Sequence, residues 1–165
     1  MKILLNTIDL NKATNKINKL GFVPTMGALH KGHISLIKKS QKRCKKTLVS
    51  IFVNPTQFDN KTDFSNYPKK LNKDLSLLKK MNVNYVFIPS IADVYSYKRL
   101  KKITLKKSDK ILCAKYRKGH FEGVLDVMDR LIKVIKPGEI YMGEKDFQQL
   151  HLIKKFIKNR YNSKI

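Results

Sequence analysis

Cysteine is nearly absent from this sequence: of 165 residues only two are cysteine, and Cys44 and Cys113 lie far apart in apolar or helical surroundings. Neither has the paired spacing of a zinc site, so a disulfide framework is not expected and both are read as buried or reduced thiols. No apolar run approaches the roughly 20 residues needed to cross a bilayer. Met1-Lys2 followed by only Ile3-Leu4-Leu5 is not the pattern of a secretory leader. The expected setting is therefore cytoplasmic, with no membrane partner. Internal repeats and low-complexity linkers are lacking too. A length of 165 residues with 42% hydrophobic content suits one domain around one core.

Acidic residues are scarce as well, 12 against 36 Lys and Arg, which leaves a formal charge of +24. Taken alone, that excess would suggest a nucleic-acid or anionic-membrane surface. Arginine, however, is limited to Arg43, Arg99, Arg117, Arg130 and Arg160. Readers of nucleic acid favour arginine because its planar fork engages guanine edges and phosphates in two places at once. Here lysines are scattered along every expected helix together with abundant Asn and Ile. That pattern reads as compositional drift on a solvated surface, and nucleic acid is not the expected partner.

What is present is an alternation of helical and extended patterns. Leu10, Ala13, Ile17 and Leu20 recur at helical intervals, predicting a helix over 8–20. Gly21 to Thr25 reads as a short strand, followed by a glycine-bearing loop and a helix from Ile34 to Cys44. Thr47 to Val53 is almost continuously apolar or β-branched, as in a strand covered on both faces. A loop with Asn54, Pro55 and Gln57 leads to a helix with Leu71, Leu75, Leu78 and Met81 on one face. A third strand spans Tyr85 to Ile88, and residues 92–115 are expected to be mostly loop, with a short strand at Lys101 to Leu105 and a brief helix. A long apolar helix, Phe121 to Ile135, is stopped by Pro137-Gly138. A strand at Glu139 to Met142 and a helix bearing Phe147, Leu150, Ile153 and Ile157 follow. The pattern predicts an α/β fold, a doubly wound parallel sheet flanked by helices. Its ligand crevice would lie beyond the carboxyl ends of the strands, lined by the loops at 24–33, 54–59 and 143–149.

The first of these loops reads Pro24-Thr25-Met26-Gly27-Ala28-Leu29-His30-Lys31-Gly32-His33. A helix amino terminus offers N–H groups and positive dipole character to an anion, and Gly27 and Gly32 allow close approach to the backbone. His30 and His33 would present donors to phosphate oxygens there. The plain alternative is a pair of exposed histidines at a helix start. A metal pair lacks the usual spacing and a third ligand.

The whole string resembles the H-x-G-H signature of the adenylate-forming nucleotidyltransferases. Joined by Val49-Ser50-Ile51-Phe52-Val53-Asn54-Pro55-Thr56-Gln57-Phe58 and Gly143-Glu144-Lys145-Asp146-Phe147-Gln148-Gln149-Leu150, it resembles the pantothenate synthetase family in particular. Tyr67-Pro68 and Gly119-His120-Phe121-Glu122-Gly123-Val124 extend the match. The resemblance implies a Rossmann-like nucleotide-binding domain over 1–165. It also implies an ATP-dependent condensation of pantoate with β-alanine through a pantoyl adenylate. By that resemblance Met26, Gly27, Ala28, Leu29, His30, Lys31, Gly32, His33, Gly143, Glu144, Lys145 and Asp146 would contact ATP. His33, His30 and Lys145 would be the catalytic groups, and Gln57, Gln149 and Asn54 would hold pantoate and β-alanine. Mg2+ would accompany the nucleotide with no direct protein ligand, and the family implies a homodimer.

Gln148 is expected to point away from the site. Arg117 and His120 are expected equally to face it or not, and Phe121 and Met128 to be core. Family members continue through a Ser-Ser-Arg-Asn type motif and a carboxyl-terminal lid domain, so the expectation is the amino-terminal domain without its lid. Within the match, Asp126 and Arg130 stand where the family usually has Thr and Lys, and Ser96 where Pro is common. Three readings stay open: a fragment of a normal enzyme, a shortened or degenerate ATP-binding domain, and a basic nucleic-acid-binding module on the same fold.

Overall fold

The computed structural model describes residues 1–58, 60–96, 102–158 and 160–165. Its five strands are β1 (Lys2–Leu4), β2 (Leu20–Thr25), β3 (Lys46–Ile51), β4 (Tyr85–Phe87) and β5 (Glu139–Ile140). The helices are α1 (Thr7–Thr14), α2 (Lys31–Arg43), α3 (Lys61–Asn66), α4 (Leu71–Lys80), α5 (Ile91–Val94), α6 (Cys113–Tyr116), α7 (His120–Ile135) and α8 (Phe147–Ile157). Short 3₁₀ turns occur at Pro55–Gln57, Lys107–Asp109 and Glu144–Asp146.

All strand pairs are parallel, in the order β1-β4-β3-β2-β5. Successive side chains of a strand face opposite sides of a sheet, and the central strands are apolar on both. Leu48 joins a core shared with Phe22, Leu10 of α1, Leu131 of α7 and Ile153 of α8. Its neighbour Val49 joins a second core with Val23, Ile37 of α2 and Leu78 of α4. The result is three layers: α2 and α4 on one face, α1, α7 and α8 on the other. From β2 the chain steps outward through β3 to β4, then crosses back to place β5 on the far side of β2. The strand order reverses at β2, and the loops after β2, β3 and β5 are thus brought to one crevice.

One contact pins α2 to this frame. A Cβ on Gly21 would lie 2.2 Å from Ser40 Oγ, so only glycine lets the helix approach β2 this closely. Ser40 is fully buried and shares a 2.8 Å hydrogen bond with Thr47 of β3. Both hydroxyls are thereby satisfied in the interior.

Several elements depart from the sequence expectation. β1 is too short to show alternation, so no local pattern announces it. The first helix ends at Thr14 rather than residue 20, because the chain must turn and enter β2 at Leu20. Residues 102–105 form no strand, and Lys101 lies outside the described residues. Helix α3 occupies a stretch whose pattern predicts loop. Cys113 is exposed and Cys44 half-buried; both are free, so the thiols are reduced rather than buried.

Candidate active site

Beyond the carboxyl ends of β2, β3 and β5 opens a cleft of about 310 Å³. That is enough for a small molecule or part of a larger one. From the first loop it is lined by Met26, His30 and His33, from the second by Asn54 and Gln57, and from the third by Gly143, Asp146 and Gln149. The structure therefore brings together residues drawn from all three predicted loops. Its floor is apolar: Phe52, Val124, Val127, Met128, Leu131, Met142 and Ile153. Met128 is thus both a core residue and a wall of the cleft, where the sequence pattern predicts core alone. Gly27, Ala28, Leu29, Lys31, Gly32, Glu144 and Lys145 stand outside this lining. Ala28 and Leu29 face a separate hollow beside Lys70, Lys73 and Leu77 of the α4 region.

The first loop differs from the open amide cradle expected of a helix start. The Gly27 N–H donates to Thr25 Oγ1 at 3.2 Å. The Ala28 and Leu29 N–H groups each donate to one oxygen of Asp74 at 2.8 Å. Gly27 and Ala28 both have positive φ (85° and 51°), and Asp74, only 3% exposed, holds that turn from α4. Glycine tolerates such a backbone freely, whereas alanine does so only when surrounding bonds enforce it. His30 caps α2: its Nδ1 accepts the Gly32 N–H at 3.1 Å, and His33 Nδ1 accepts the His30 N–H at 3.4 Å. These donors are already engaged inside the protein.

What the loop offers a ligand is therefore imidazole. Because both Nδ1 atoms act as acceptors, each neutral ring carries its proton on Nε2 and has an N–H to give. The rings stand 4.1 Å apart by centroid. Burial, and then the neighbouring His30, lower the His33 pKa below the ordinary 6.5, with Asp74 opposing. His33 is consequently a neutral donor at physiological pH.

The second loop is organised around Asn54, which is 1% exposed. Its side chain caps the 3₁₀ turn Pro55–Gln57 by accepting the Thr56 N–H at 3.3 Å. Helix α7 packs so tightly on this turn that a Cβ on Gly123 would meet the Thr56 carbonyl oxygen at 2.4 Å. His120, at the start of α7, binds the Gln57 carbonyl through Nδ1 at 2.7 Å and meets Arg117 Nη1 through Nε2 at 3.0 Å. Donation to a carbonyl requires the proton on Nδ1, leaving Nε2 to accept from the guanidinium. Arg117 and His120 thus support the cleft from behind.

The third loop is more open. Gly143 has nothing within 4 Å of its Cβ direction, and no side chain caps the start of α8 among the described residues. Glu144 and Lys145 are exposed. Gln148 donates to the Ile111 carbonyl at 2.7 Å, while Gln149 lines the cleft. Asp126 raises no conflict with an anionic ligand. It pairs with Arg130 at 3.0 Å and is not among the lining residues. Nothing in the structure explains Ser96.

Sequence reasoning misses the roles of Asp74, Tyr95, Thr56 and Ser50. Asp74 leaves a trace, since it interrupts the apolar face Leu71, Leu75, Leu78 of α4, and a buried polar residue is the informative observation. Ser50, 1% exposed, lines the cleft, and its hydroxyl has no partner among the described residues.

The comparisons with known proteins agree with this geometry. Residues 3–164 match the family model for pantoate-beta-alanine ligase. The chain is 43% identical over 162 residues to a pantothenate synthetase of Pseudothermotoga lettingae, covering 96% of this chain and 58% of that protein. It is 48% identical over 152 residues to the pantothenate synthetase of Francisella tularensis subsp. novicida, covering 91% of this chain and 58% of that protein. The chain therefore spans a little over half the length of these curated relatives. Among solved structures, the Francisella tularensis pantoate-beta-alanine ligase, crystallised with beta-gamma ATP and beta-alanine, superposes with a TM-score of 0.95 at 45% identity, covering all of this chain and 65% of that one. A pantothenate synthetase from Thermus thermophilus gives 0.93 at 30% identity, covering all of this chain and 60% of that one. Cleft, loops and relatives together establish that this chain belongs to the pantoate-beta-alanine ligase family.

Proposed function

We propose that the cleft binds ATP and pantoate side by side and promotes attack of the pantoate carboxylate on the α-phosphorus. One carboxylate oxygen forms a bond to phosphorus as the bond to the bridging oxygen breaks. The pyrophosphate leaves with that electron pair, and pantoyl adenylate remains. The β-alanine amine then attacks the acyl carbon, expels AMP and loses a proton, giving pantothenate. No protein nucleophile takes part, so the chain contributes position and charge.

The observation that carries this reading is the lining itself: imidazole donors on one side, carboxamides on another and an apolar floor between. His30 and His33 would donate from Nε2 to phosphate oxygens whose charge grows as the bond breaks. Lys145, on a flexible four-carbon stem in the third loop, would reach the same phosphates as a point charge. Gln57 and Gln149 would hold the pantoate carboxylate and hydroxyls, Asn54 would shape that end, and the apolar floor would take the dimethyl carbon. Gly143, Glu144 and Asp146 would border the nucleotide, together with Met26 to Gly32. The protein is proposed to act as one nucleotide-binding domain over 1–165, in the cytoplasm and as a homodimer.

Among the described residues no three metal-ligating side chains cluster. Of those residues Asp146 is the one carboxylate on the lining, and both Asp74 oxygens already accept N–H groups. That donor set suits Mg2+ carried on the nucleotide phosphates. When bound, the ion supplies charge neutralisation. Calorimetric titration with Mg-ATP tests the nucleotide half, and absence of binding heat would remove it. Pyrophosphate release that depends on added pantoate tests the chemistry.

A further inference from the structure

We propose that Tyr95, clamped by Arg130, is a positioning residue that holds the Asn54 carboxamide in the orientation selected by the Thr56 N–H and the Gly123 carbonyl and, through it, aims the Gln57 amide at the acid substrate. This deepens the reading of the carboxamide end of the cleft and rests on it. Protons decide the orientation. Asn54 is 1% exposed, so its hydrogen-bonding positions must be filled by the protein. Its Oδ1 accepts the Tyr95 O–H at 2.7 Å, the Thr56 N–H at 3.3 Å and the Thr56 hydroxyl at 3.2 Å. Its Nδ2 donates to Gln57 Oε1 and to the Gly123 carbonyl, each at 3.3 Å.

Tyr95 has one proton and gives it to Asn54. Its oxygen can then only accept from Thr56 Oγ1 at 3.0 Å, whose single proton is shared between the phenol and Asn54 Oδ1. An Asn54 amide turned the other way would set its Nδ2 against the Thr56 N–H and its Oδ1 against the Gly123 carbonyl, so those two groups select the orientation, and the phenol, at 2.7 Å the shortest of the contacts to Oδ1, holds it. Gln57 responds in sequence. With its Oε1 committed to Asn54, its Nε2 is left facing Met26 Sδ at 3.0 Å. A thioether is a weak acceptor, and a carboxylate or hydroxyl oxygen of the substrate would take its place.

The clamp is Arg130. It is 5% exposed, its guanidinium carbon stands 4.5 Å from the Tyr95 ring centroid, and it bonds both Asp126 at 3.0 Å and the Val94 carbonyl at 3.4 Å. A planar cation over the ring and a bond to the preceding residue fix the phenol in place. Burial raises the Tyr95 pKa above its ordinary value, so the proton that Asn54 needs is retained.

Tyr95→Phe removes the hydroxyl and keeps the ring. In nitrogen-15 labelled protein the expected result is displacement of the Asn54 and Gln57 side-chain amide resonances. Pantoate affinity should weaken about tenfold, the size of one lost hydrogen bond in a closed site, while Mg-ATP affinity stays within about twofold. Arg130→Lys keeps the charge but loses the flat stack. It should move the same resonances less, and it supplies the same readout if Tyr95→Phe fails to fold. Unmoved Asn54 and Gln57 resonances would overturn the proposal, as would equal losses of pantoate and Mg-ATP affinity. Should the wild type bind no pantoate, the acid-site reading fails by itself and the resonances alone decide whether Tyr95 positions Asn54.

Discussion

Two turns at the mouth of the cleft have similar sequence logic and opposite physics. The turn before α2 uses nearly every donor internally: Thr25 takes Gly27, Asp74 takes Ala28 and Leu29, and the two histidines take Gly32 and His30. The turn before α8 has no side-chain cap among the described residues, open space at Gly143 and an exposed Lys145. Both are glycine-bearing stretches between a strand and a helix, which is why they look alike in sequence. The first is a finished scaffold that displays two oriented rings. The second leaves its helix start without a side-chain cap and its glycine open to an entering ligand.

The contrast can be broken most severely at Asp74. Asp74→Ala leaves two N–H groups without acceptors and a left-handed Ala28 unsupported. Each lost partner costs about 1–3 kcal/mol, so a fall of about 2–6 kcal/mol in chemical denaturation is expected, with Mg-ATP binding abolished. A stability change under about 1 kcal/mol would show that the first turn holds itself. Gly123→Ala strikes the neighbouring turn. The new methyl meets the Thr56 carbonyl oxygen, and overpacking of this kind costs about 1–3 kcal/mol. Pantoate affinity should fall more than Mg-ATP affinity.

Lys145→Ala sharpens the comparison from the other side. The side chain is exposed, so stability should stay within about 0.5 kcal/mol. Mg-ATP affinity should fall about tenfold by calorimetry, as expected for loss of one phosphate-directed charge. Equal affinity would remove Lys145 from the site.

The smallest effect is pH-dependent. The folded pKa of His33 is lowered, so the unfolded chain binds its proton more readily. Above 6.5 both states are neutral there and His33 contributes no pH slope. As pH falls below 6.5 toward the lower folded value, stability declines. His33→Gln should remove that part of the slope in denaturation curves taken between about pH 7 and 5. An unchanged slope would assign it to other groups.

The fold is largely legible in the sequence because its signals are locally simple. The doubly apolar run at Thr47 to Ile51 can only be a covered strand, and the stripe of α7 needs two neighbours to bury it. Three loops converging on one crevice follow from strand alternation alone. What stays hidden is set by pairing between distant positions. No local pattern says that Asp74 reaches back across the fold to Ala28 and Leu29, or that Tyr95 ends against Asn54. Asp126 and Arg130 depart from the family pattern in a way that alone would threaten a phosphate site, yet they complete each other as an i,i+4 ion pair beside Tyr95. The histidines are legible as residues, but their proton positions come only from the cap geometry.

The glycine contact between β2 and α2 has a kinetic consequence. With Ser40 Oγ occupying the space of a side chain at Gly21 and joined to Thr47, the helix cannot slide along the sheet without breaking a buried bond. Amide protons midway along α2 should then exchange with solvent only through global opening, while those of residues 143–147 exchange through local fluctuations. On the proposed reading, a ligand would meet a histidine pair anchored through α2 on one side and an uncapped turn on the other.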